Sequence, residues 1–323
     1  MEKRNSVDIA MEDSKVMSEV HLGCPPNFSG PYVSRFTFHL PLPEDEHLQK
    51  RCGDDPENES CSFQKIVKVD EDGDLIVARR TKQSYYTGVV SIQHNITSSI
   101  SRVGLQVWKA ELILADYVLH KMSLSTAFNN VVAVELGAGT GLVGILIARV
   151  AKAIFITDHG VEILDNCARN VYFNSGLFGS ECSVKVRELD WQKPWPPMDF
   201  NSTGRYSWTS TEVEEVNGAS VLLAADVIYS DELTDALFSV LQKMMCQHSE
   251  KVLYLALEKR YNFSLDDLDV VANGYSHFLS YMTDSKGFTG KCINLSEIPQ
   301  YVREYQRGND VELWEMKYVA PKC

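Results

Sequence analysis

Paired cysteines, long apolar runs and a surplus of positive charge are the features that this chain lacks. Its eight cysteines are scattered and none forms a CxxC pair, so the sequence predicts neither a zinc site nor a disulfide framework. The amino terminus has no apolar signal-peptide core, and no later stretch approaches the ~20 apolar residues of a membrane span. We therefore expect reduced thiols, no bound metal and no membrane anchor.

The charge balance is acidic. There are 31 Lys plus Arg against 44 Asp plus Glu, which gives a formal net charge of −13. A general nucleic-acid-binding protein needs a basic surface for the phosphates, so we do not expect direct binding of nucleic acid. An acidic surface suits a basic protein partner instead. Hydrophobic residues make up 44% of the 323 positions, enough for a full core, and no internal repeat is visible.

Composition divides the chain into two parts. Residues 1–100 are predicted to be an arm with short strands and an acidic linker, because charge, Pro and Ser accumulate around 41–62. Within this arm, 32–40 reads as a strand and 66–80 as a hairpin that turns at Asp72-Gly73. Residues 101–323 are predicted to form a single larger domain.

The stretch VVAVELGAGTG at 131–141 is the most informative of the chain. An apolar strand runs to Leu136, three glycines form a loop, and an apolar helix follows over 142–150. Two registers compete: 139–144 is a literal GxGxxG, the dinucleotide fingerprint, but the strand ends too early for it. The favoured interpretation is the pattern acidic-x-Gly-x-Gly-x-Gly over 135–141, because it begins where the strand ends. Its candidate ligand-contacting residues are Glu135, Gly137, Ala138, Gly139 and Gly141.

An amphipathic helix is predicted over 103–120, just before this strand, with Trp108 near its beginning. A tryptophan on a helix more often belongs to the core than to a ligand site. The flanking sequence G-x-Q-V-W-x-A, placed ahead of the glycine loop, favours the ligand site here.

Polar residues follow the next two predicted strands. Asp158 ends the strand at 153–157 and can accept hydrogen bonds from ribose hydroxyls, in a nicotinamide or an adenosylmethionine site alike. The alternative is that Asp158 caps the helix running through Asn170. Asp190-Trp191 ends the strand at 183–189, where a carboxylate and an indole can hold an adenine base.

The predicted fourth strand, 219–225, is apolar except for Ser220 and comes after a Pro- and Trp-rich loop at 192–218. Ala225 ends it, and Asp226 and Tyr229 follow at the carboxyl edge, where open α/β sheets bind their ligands. Asp226 stands too far upstream to cap the helix beginning near Asp231. The rest of the chain is predicted to be helix 231–246, strand 251–257, helix 265–282 and a terminal antiparallel pair at 289–295 and 311–319.

With ELGAGTG, Asp158, Leu189-Asp190-Trp191 and Ala224–Tyr229 in this order, the chain resembles the seven-stranded class I methyltransferases. Among these it is similar to family 16, the methyltransferase-like protein lysine methyltransferases. The resemblance implies a doubly wound, Rossmann-like α/β sheet, S-adenosylmethionine as cofactor, no metal, and methyl transfer to a lysine of another protein. By position, the residues that would touch the cofactor are Trp108, Gly137, Ala138, Gly139, Asp158, Trp191 and Ala225. Asp226 and Tyr229 match the acidic-x-x-aromatic signature of the family.

Further stretches, including DEDGDL at 70–75 and KRYNF at 259–263, match one family member in particular. This finer likeness implies a basic, nucleic-acid-binding zinc-finger protein as substrate and a location in nucleus and cytoplasm. We expect a monomer. Two alternatives stay open: a catalytically weak scaffold of the same fold in a nucleic-acid-processing complex, and an NAD-dependent oxidoreductase.

Overall fold

The structure is a computed structural model, and it describes residues 15–20, 28, 30–41, 68–69, 75–76, 85–198, 200, 204–246, 250–264, 269–283, 286–303 and 305–320. The strands are β1 Lys15–Met17, β2 Tyr32–Pro41, β3 Lys68–Val69, β4 Leu75–Ile76, β5 Tyr85–His94, β6 Thr97–Ser99, β7 Val132–Leu136, β8 Ala153–Asp158, β9 Ser183–Glu188, β10 Val221–Ala225, β11 Val252–Glu258, β12 Asn262–Ser264, β13 Asp269–Val271, β14 Phe288–Ile293 and β15 Val311–Tyr318. The α-helices are α1 Lys109–Leu124, α2 Leu142–Ile147, α3 Val161–Phe173, α4 Ser210–Asn217, α5 Asp231–Met245 and α6 Asn273–Ser280. Short 3-10 segments occupy Ile100–Leu105, Ser175–Leu177 and Leu295–Glu297.

A seven-stranded sheet in the order β14-β15-β11-β10-β7-β8-β9 forms the centre of the molecule. Strands β7 to β11 are parallel, whereas β15 runs antiparallel to both β11 and β14. The chain builds outward from β7 to β9 and then returns to the other side of β7 with β10. Ligands of open α/β sheets bind at such a reversal point, beyond the carboxyl ends of the strands. The predicted doubly wound fold is confirmed.

Each face of the sheet has its own hydrophobic core, because successive side chains of a strand point to opposite faces. Ala133 belongs to the core that contains helices α1, α2 and α3, and its neighbour Val134 to the core that contains α4, α5 and α6. The central strands are buried on both faces, which is why their sequences are continuously apolar rather than alternating.

The strand pair β2–β5 packs on the first face. It is antiparallel over its whole length, from Tyr32 opposite His94 to Pro41 opposite Tyr85, and Phe36 joins the same core as α1. Strands β3 and β4 also pair antiparallel, as the predicted hairpin requires, but its turn at Asp72-Gly73 lies outside the described residues, as do 42–62 of the predicted linker. The boundary at residue 100 stays a prediction.

Three predicted elements differ from the structure. Helix α1 begins at Lys109 rather than at 103, and all residues from Ala110 to Leu119 are buried, so it is not amphipathic. It is covered on several sides because the sheet, β2 and α2 all pack against it. The region 192–218, predicted to be a loop, contains α4. That helix has a capping box between Thr209 and Glu212, a sequence signal that the surrounding Pro and Trp residues obscure.

The third difference is the helix predicted over 265–282. The described part of this range holds β13 and then only a short helix, α6. Val270 and Val271 are β-branched and pair with β12, which favours a strand there. No helix in the described ranges is long and apolar enough to cross a bilayer.

Candidate active site

A cavity of about 600 Å³ lies at the carboxyl edge of the sheet, beside the reversal point. We call it the main cavity. All of the predicted site residues except Gly141 line it, namely Trp108, Glu135, Gly137, Ala138, Gly139, Asp158, Asp190, Trp191, Ala225, Asp226 and Tyr229. Gly141 stands behind the lining, as the residue that precedes α2, with φ of +80°. The order of motifs along the chain therefore predicts eleven residues of this lining, but not those of the 3-10 segment at 100–104 or those at 159–163.

The glycine loop needs two of its glycines for space as well as for conformation. Gly137 has φ of +61°, and a Cβ there would lie 2.7 Å from Val227 and 3.0 Å from Trp191. Gly139 has φ of +51°, and a Cβ there would lie 2.9 Å from the carbonyl oxygen of Gly104. Side chains at these positions would be strained and would narrow the cavity, so the loop exposes its backbone to a ligand.

Asp158 holds the loop in place from the tip of β8. One carboxylate oxygen accepts from the Gly139 N–H at 2.7 Å and the other from the His159 N–H at 2.7 Å. Burial raises the pKa of the Asp158 carboxyl, and these two hydrogen bonds oppose the rise. The capping alternative is wrong, because α3 begins at Val161 and its first residues receive no side-chain cap.

Two further acids are buried in the wall of the main cavity. Glu135 accepts from the Gly144 N–H at 2.9 Å, and burial raises its pKa well above the usual value. Glu111 accepts from the Thr140 hydroxyl at 2.6 Å, and burial raises its pKa to about 7. Sequence reasoning missed Glu111, although an acid within the apolar run of α1 was a signal. Such a wall suits a positively charged ligand.

The part of the main cavity beside Trp191 can accept a base. Trp191 packs against Gly137, and its buried Nε1–H has no hydrogen-bond partner within the described residues. Asp190 accepts from the Gln192 N–H at 3.0 Å and lines the same cavity. A buried donor without a partner costs free energy, so this indole N–H is well placed to donate a hydrogen bond to an acceptor atom of a ligand.

Asp226 lies directly after β10 in a left-handed conformation, with φ of +58°. Its side chain is only 3% exposed and one of its oxygens pairs with Arg260. Burial raises the pKa of the Asp226 carboxyl to about 6, and the positive charge of Arg260 opposes the rise. The other oxygen, Oδ1, meets no hydrogen-bond partner in the described part of the chain. The cap of α5 is Ser230, so Asp226 is not a helix cap.

Tyr229 and Trp108 stand at the mouth. Tyr229 is 46% exposed and lines both the main cavity and a second, polar cavity of about 470 Å³, which we call the side cavity. The Trp108 indole N–H donates to the carbonyl oxygen of Val103 at 3.1 Å. The guanidinium carbon of Arg260 lies over the Trp108 ring, 5.1 Å from its centroid. Trp108 is only partly buried, and its predicted contact with the cofactor stays a prediction.

The sheet order, the reversed strand β15, the glycine loop after the first core strand and the acidic tip of the second define a class I methyltransferase. Residues 89–273 match the family described as lysine methyltransferase, and the chain belongs to that family. S-adenosylmethionine is its cofactor, and the acidic wall, the open glycine loop and the unpartnered indole N–H fit that molecule. Among the residues that the structure describes, no cluster of His, Cys, Asp or Glu could hold a metal ion.

The chain is 34% identical to methyltransferase-like protein 22 of Mus musculus, over 86% of this chain and 73% of the mouse protein. It is 35% identical to the Homo sapiens protein of the same name, over 71% of this chain and 57% of the human protein. Protein-lysine N-methyltransferase rrg1 of Schizosaccharomyces pombe is 29% identical over 52% of both chains. The mouse and human matches confirm the likeness to methyltransferase-like protein 22 that the stretches at 70–75 and 259–263 indicate.

Proposed function

We propose that this protein methylates a lysine of a basic, nucleic-acid-binding protein, such as a zinc-finger protein, with Asp226 and Tyr229 receiving the lysine amine. The observation that carries the proposal is the free oxygen of Asp226 beside the exposed ring of Tyr229, at the junction of the two cavities. A buried acceptor at the mouth of a cofactor cavity is placed to orient an N–H group of an entering amine.

S-adenosylmethionine supplies an electrophilic methyl group when bound, and the residues of this chain supply position. Because the transfer is an in-line displacement, the nitrogen must be held in one direction rather than activated by a strong base. A lysine ammonium has a pKa of ~10.4 in water, and desolvation at the mouth lowers it. Asp226 Oδ1 accepts from the amine, and the ring of Tyr229 excludes water from one side.

The acidity of the mouth supports a basic acceptor. Asp231 and Glu232, at the exposed start of α5, line the side cavity, and the whole chain carries a formal net charge of −13. A basic segment around the target lysine would be attracted to these carboxylates before the lysine enters. The family likeness supports a narrower proposal, in which the substrate is a zinc-finger protein and this protein is located in the nucleus and the cytoplasm. Imaging of a fluorescent fusion would test the location.

The test is to incubate the protein and Asp226→Asn with labelled S-adenosylmethionine and a cell lysate, then identify labelled proteins and lysines by mass spectrometry. We expect label on lysine of a basic protein and a loss of ~10²-fold or more in the variant. Asparagine tolerates the left-handed backbone at this position, so the variant should fold and bind the cofactor within a few-fold of wild type. Near-normal transfer by Asp226→Asn would overturn the role of Asp226, and absence of any labelled lysine would overturn the activity.

A further inference from the structure

Arg260, just after β11, lies where the two cavities meet. It lines the side cavity, whereas Asp226, with which it pairs, lines the main cavity. The guanidinium is held on two sides, by the Asp226 carboxylate and by the ring of Trp108 at 5.1 Å. A cation fixed by both a buried carboxylate and an aromatic face is more strongly oriented than a surface ion pair.

The neighbouring charges leave this pair intact. Glu258, the nearest acid on β11, is already paired with Lys109 at 2.6 Å. Asp226 is 3% exposed, whereas Arg260 is 35% exposed and reaches toward solvent. The Arg260 contact uses only Oδ2 of Asp226, which leaves Oδ1 as an acceptor. The pair therefore presents a neutralised carboxylate with one oxygen still available.

This neutralisation matters for the chemistry of an amine nucleophile. A buried, uncompensated carboxylate would pair with the incoming lysine ammonium and stabilise its proton. A protonated nitrogen has no lone pair with which to attack a methyl group. A guanidinium remains charged at any physiological pH, so it can compensate the carboxylate permanently.

We propose that Arg260 is a positioning residue of the methyl-transfer site, which neutralises Asp226 and turns its free oxygen toward a neutral lysine amine. The inference rests on the proposed lysine methylation, but its consequence for charge in the cavity can be measured without a protein substrate. Two cofactor analogues serve as probes. S-adenosylhomocysteine has no charge at the sulfur, whereas sinefungin carries a primary ammonium in place of the methylsulfonium group.

The experiment is isothermal titration of both analogues into wild type, Arg260→Gln and Arg260→Lys. The titrations are run at pH ~8.5, because the pKa of the Asp226 carboxyl should rise further once Arg260 no longer opposes the effect of burial. The uncompensated carboxylate should then attract the ammonium, so the preference for sinefungin over S-adenosylhomocysteine should rise about tenfold in Arg260→Gln. Arg260→Lys should stay within about threefold of wild type because the charge is kept. The double variant Arg260→Gln/Asp226→Asn should return to the wild-type preference, which ties the effect to this pair.

Arg187→Gln is the matched control, since it breaks a comparable ion pair with Glu212 on β9 and α4, away from the main cavity. It should lower stability without changing the analogue preference. If Arg260→Gln behaves like Arg187→Gln, the pair is only structural and the proposal is overturned.

Methyl transfer to lysate proteins gives the second readout. Arg260→Gln should lower labelling about tenfold while S-adenosylhomocysteine still binds, and Arg260→Lys should restore most of it. Full labelling by Arg260→Gln would contradict the proposal. If wild type labels no lysine, the proposed function fails, but the analogue preferences still decide whether Arg260 neutralises Asp226.

Discussion

Four largely buried acidic side chains, those of Glu111, Glu135, Asp158 and Asp226, line the main cavity, and Asp226 is paired with Arg260. Burial raises the pKa of each, so their charged forms are held at a cost in the absence of a ligand. A sulfonium and an ammonium on the ligand would lower that cost. The wall is therefore better matched to S-adenosylmethionine than to a neutral molecule of the same shape.

Replacing Asp158 by Ala should weaken S-adenosylmethionine binding by roughly 1.5–3 kcal/mol, because charge-assisted hydrogen bonds to the ribose would be lost. Titration calorimetry measures the change. Asp165→Ala is the control, since that carboxylate pairs with Arg205 at the surface of the neighbouring helix. Equal affinities of the two variants for S-adenosylmethionine would contradict the predicted contact between Asp158 and the ribose.

Glu111 should make stability dependent on pH. Its pKa rises from 4.5 to about 7 on folding, so between these values the native state holds the proton more tightly than the unfolded state. The free energy of unfolding should then fall as pH rises through this window, by about 3–4 kcal/mol in total. Glu111→Gln keeps the acceptor for Thr140 and removes the charge.

Urea unfolding of the ligand-free protein at several pH values measures this dependence of the free energy of unfolding on pH. We expect Glu111→Gln to be more stable than wild type above pH ~7.5 and of similar stability near pH ~4.5, where the native carboxyl is protonated. A variant that is less stable at the higher pH would show that Glu111 is held charged in the native state.

Site residues can be predicted from the sequence where each belongs to one short motif. A contact between two residues far apart in the chain cannot be predicted in this way. Gly137, Asp158 and Asp226 each follow a recognisable strand, so strand order is enough to bring them together. Arg260 is separated from Asp226 by the whole of α5 and β11. Its contact depends on the left-handed turn at Asp226 and on the position of Trp108, and no spacing rule gives either.

At the scale of elements, helix α3 is joined to strand β5 by asparagines one helical turn apart. Asn170 is fully buried, accepts from the Gln93 N–H at 2.7 Å, and donates to the carbonyl oxygens of Gln93 and Thr140 at 3.0 Å each. Asn174 makes the same two-way contact with Ser91. The buried side-chain amide of Asn170 therefore binds both the glycine loop, at Thr140, and the β2–β5 pair, at Gln93.

Asn170→Ala should lower the free energy of unfolding by about 2–4 kcal/mol, since it leaves buried backbone groups unpaired. Amide hydrogen exchange at Gln93 should accelerate as well. The exposed Asn294→Ala, at a short surface turn, should cost less than about 1 kcal/mol. Unchanged exchange at Gln93 would mean that the pairing with β2 and the apolar side chains hold β5 without the Asn170 amide.

Element type is predictable where the apolar pattern is continuous, as in β7, β8 and β10. Prediction fails where tertiary packing decides. The buried polar residues Glu111 and Asp116 lie within α1, whose spacing of apolar residues predicts a one-sided helix although the helix is enclosed. At 269–271, a short strand replaces a helix because pairing with β12 outweighs local helical spacing.

For the whole molecule, ligand binding should separate the methyltransferase from the oxidoreductase alternative. A ligand at 100 times its dissociation constant stabilises the native state by ~2.7 kcal/mol. S-adenosylhomocysteine should therefore raise the melting temperature, whereas NAD at the same concentration should leave it unchanged. Stabilisation by NAD alone would favour the dinucleotide register of the glycine loop.

One wall of the main cavity is assembled from distant parts of the chain. Strand β1 pairs with β6 immediately before the 3-10 segment, and Gln106 donates to the carbonyl oxygen of Val16 at 3.1 Å. Met17 on that strand is 63% exposed. A dye attached at position 17 would thus lie outside the main cavity, on a strand that contacts one of its walls. A change in its fluorescence on ligand binding would report occupancy, so unknown substrates could be sought without following the reaction itself.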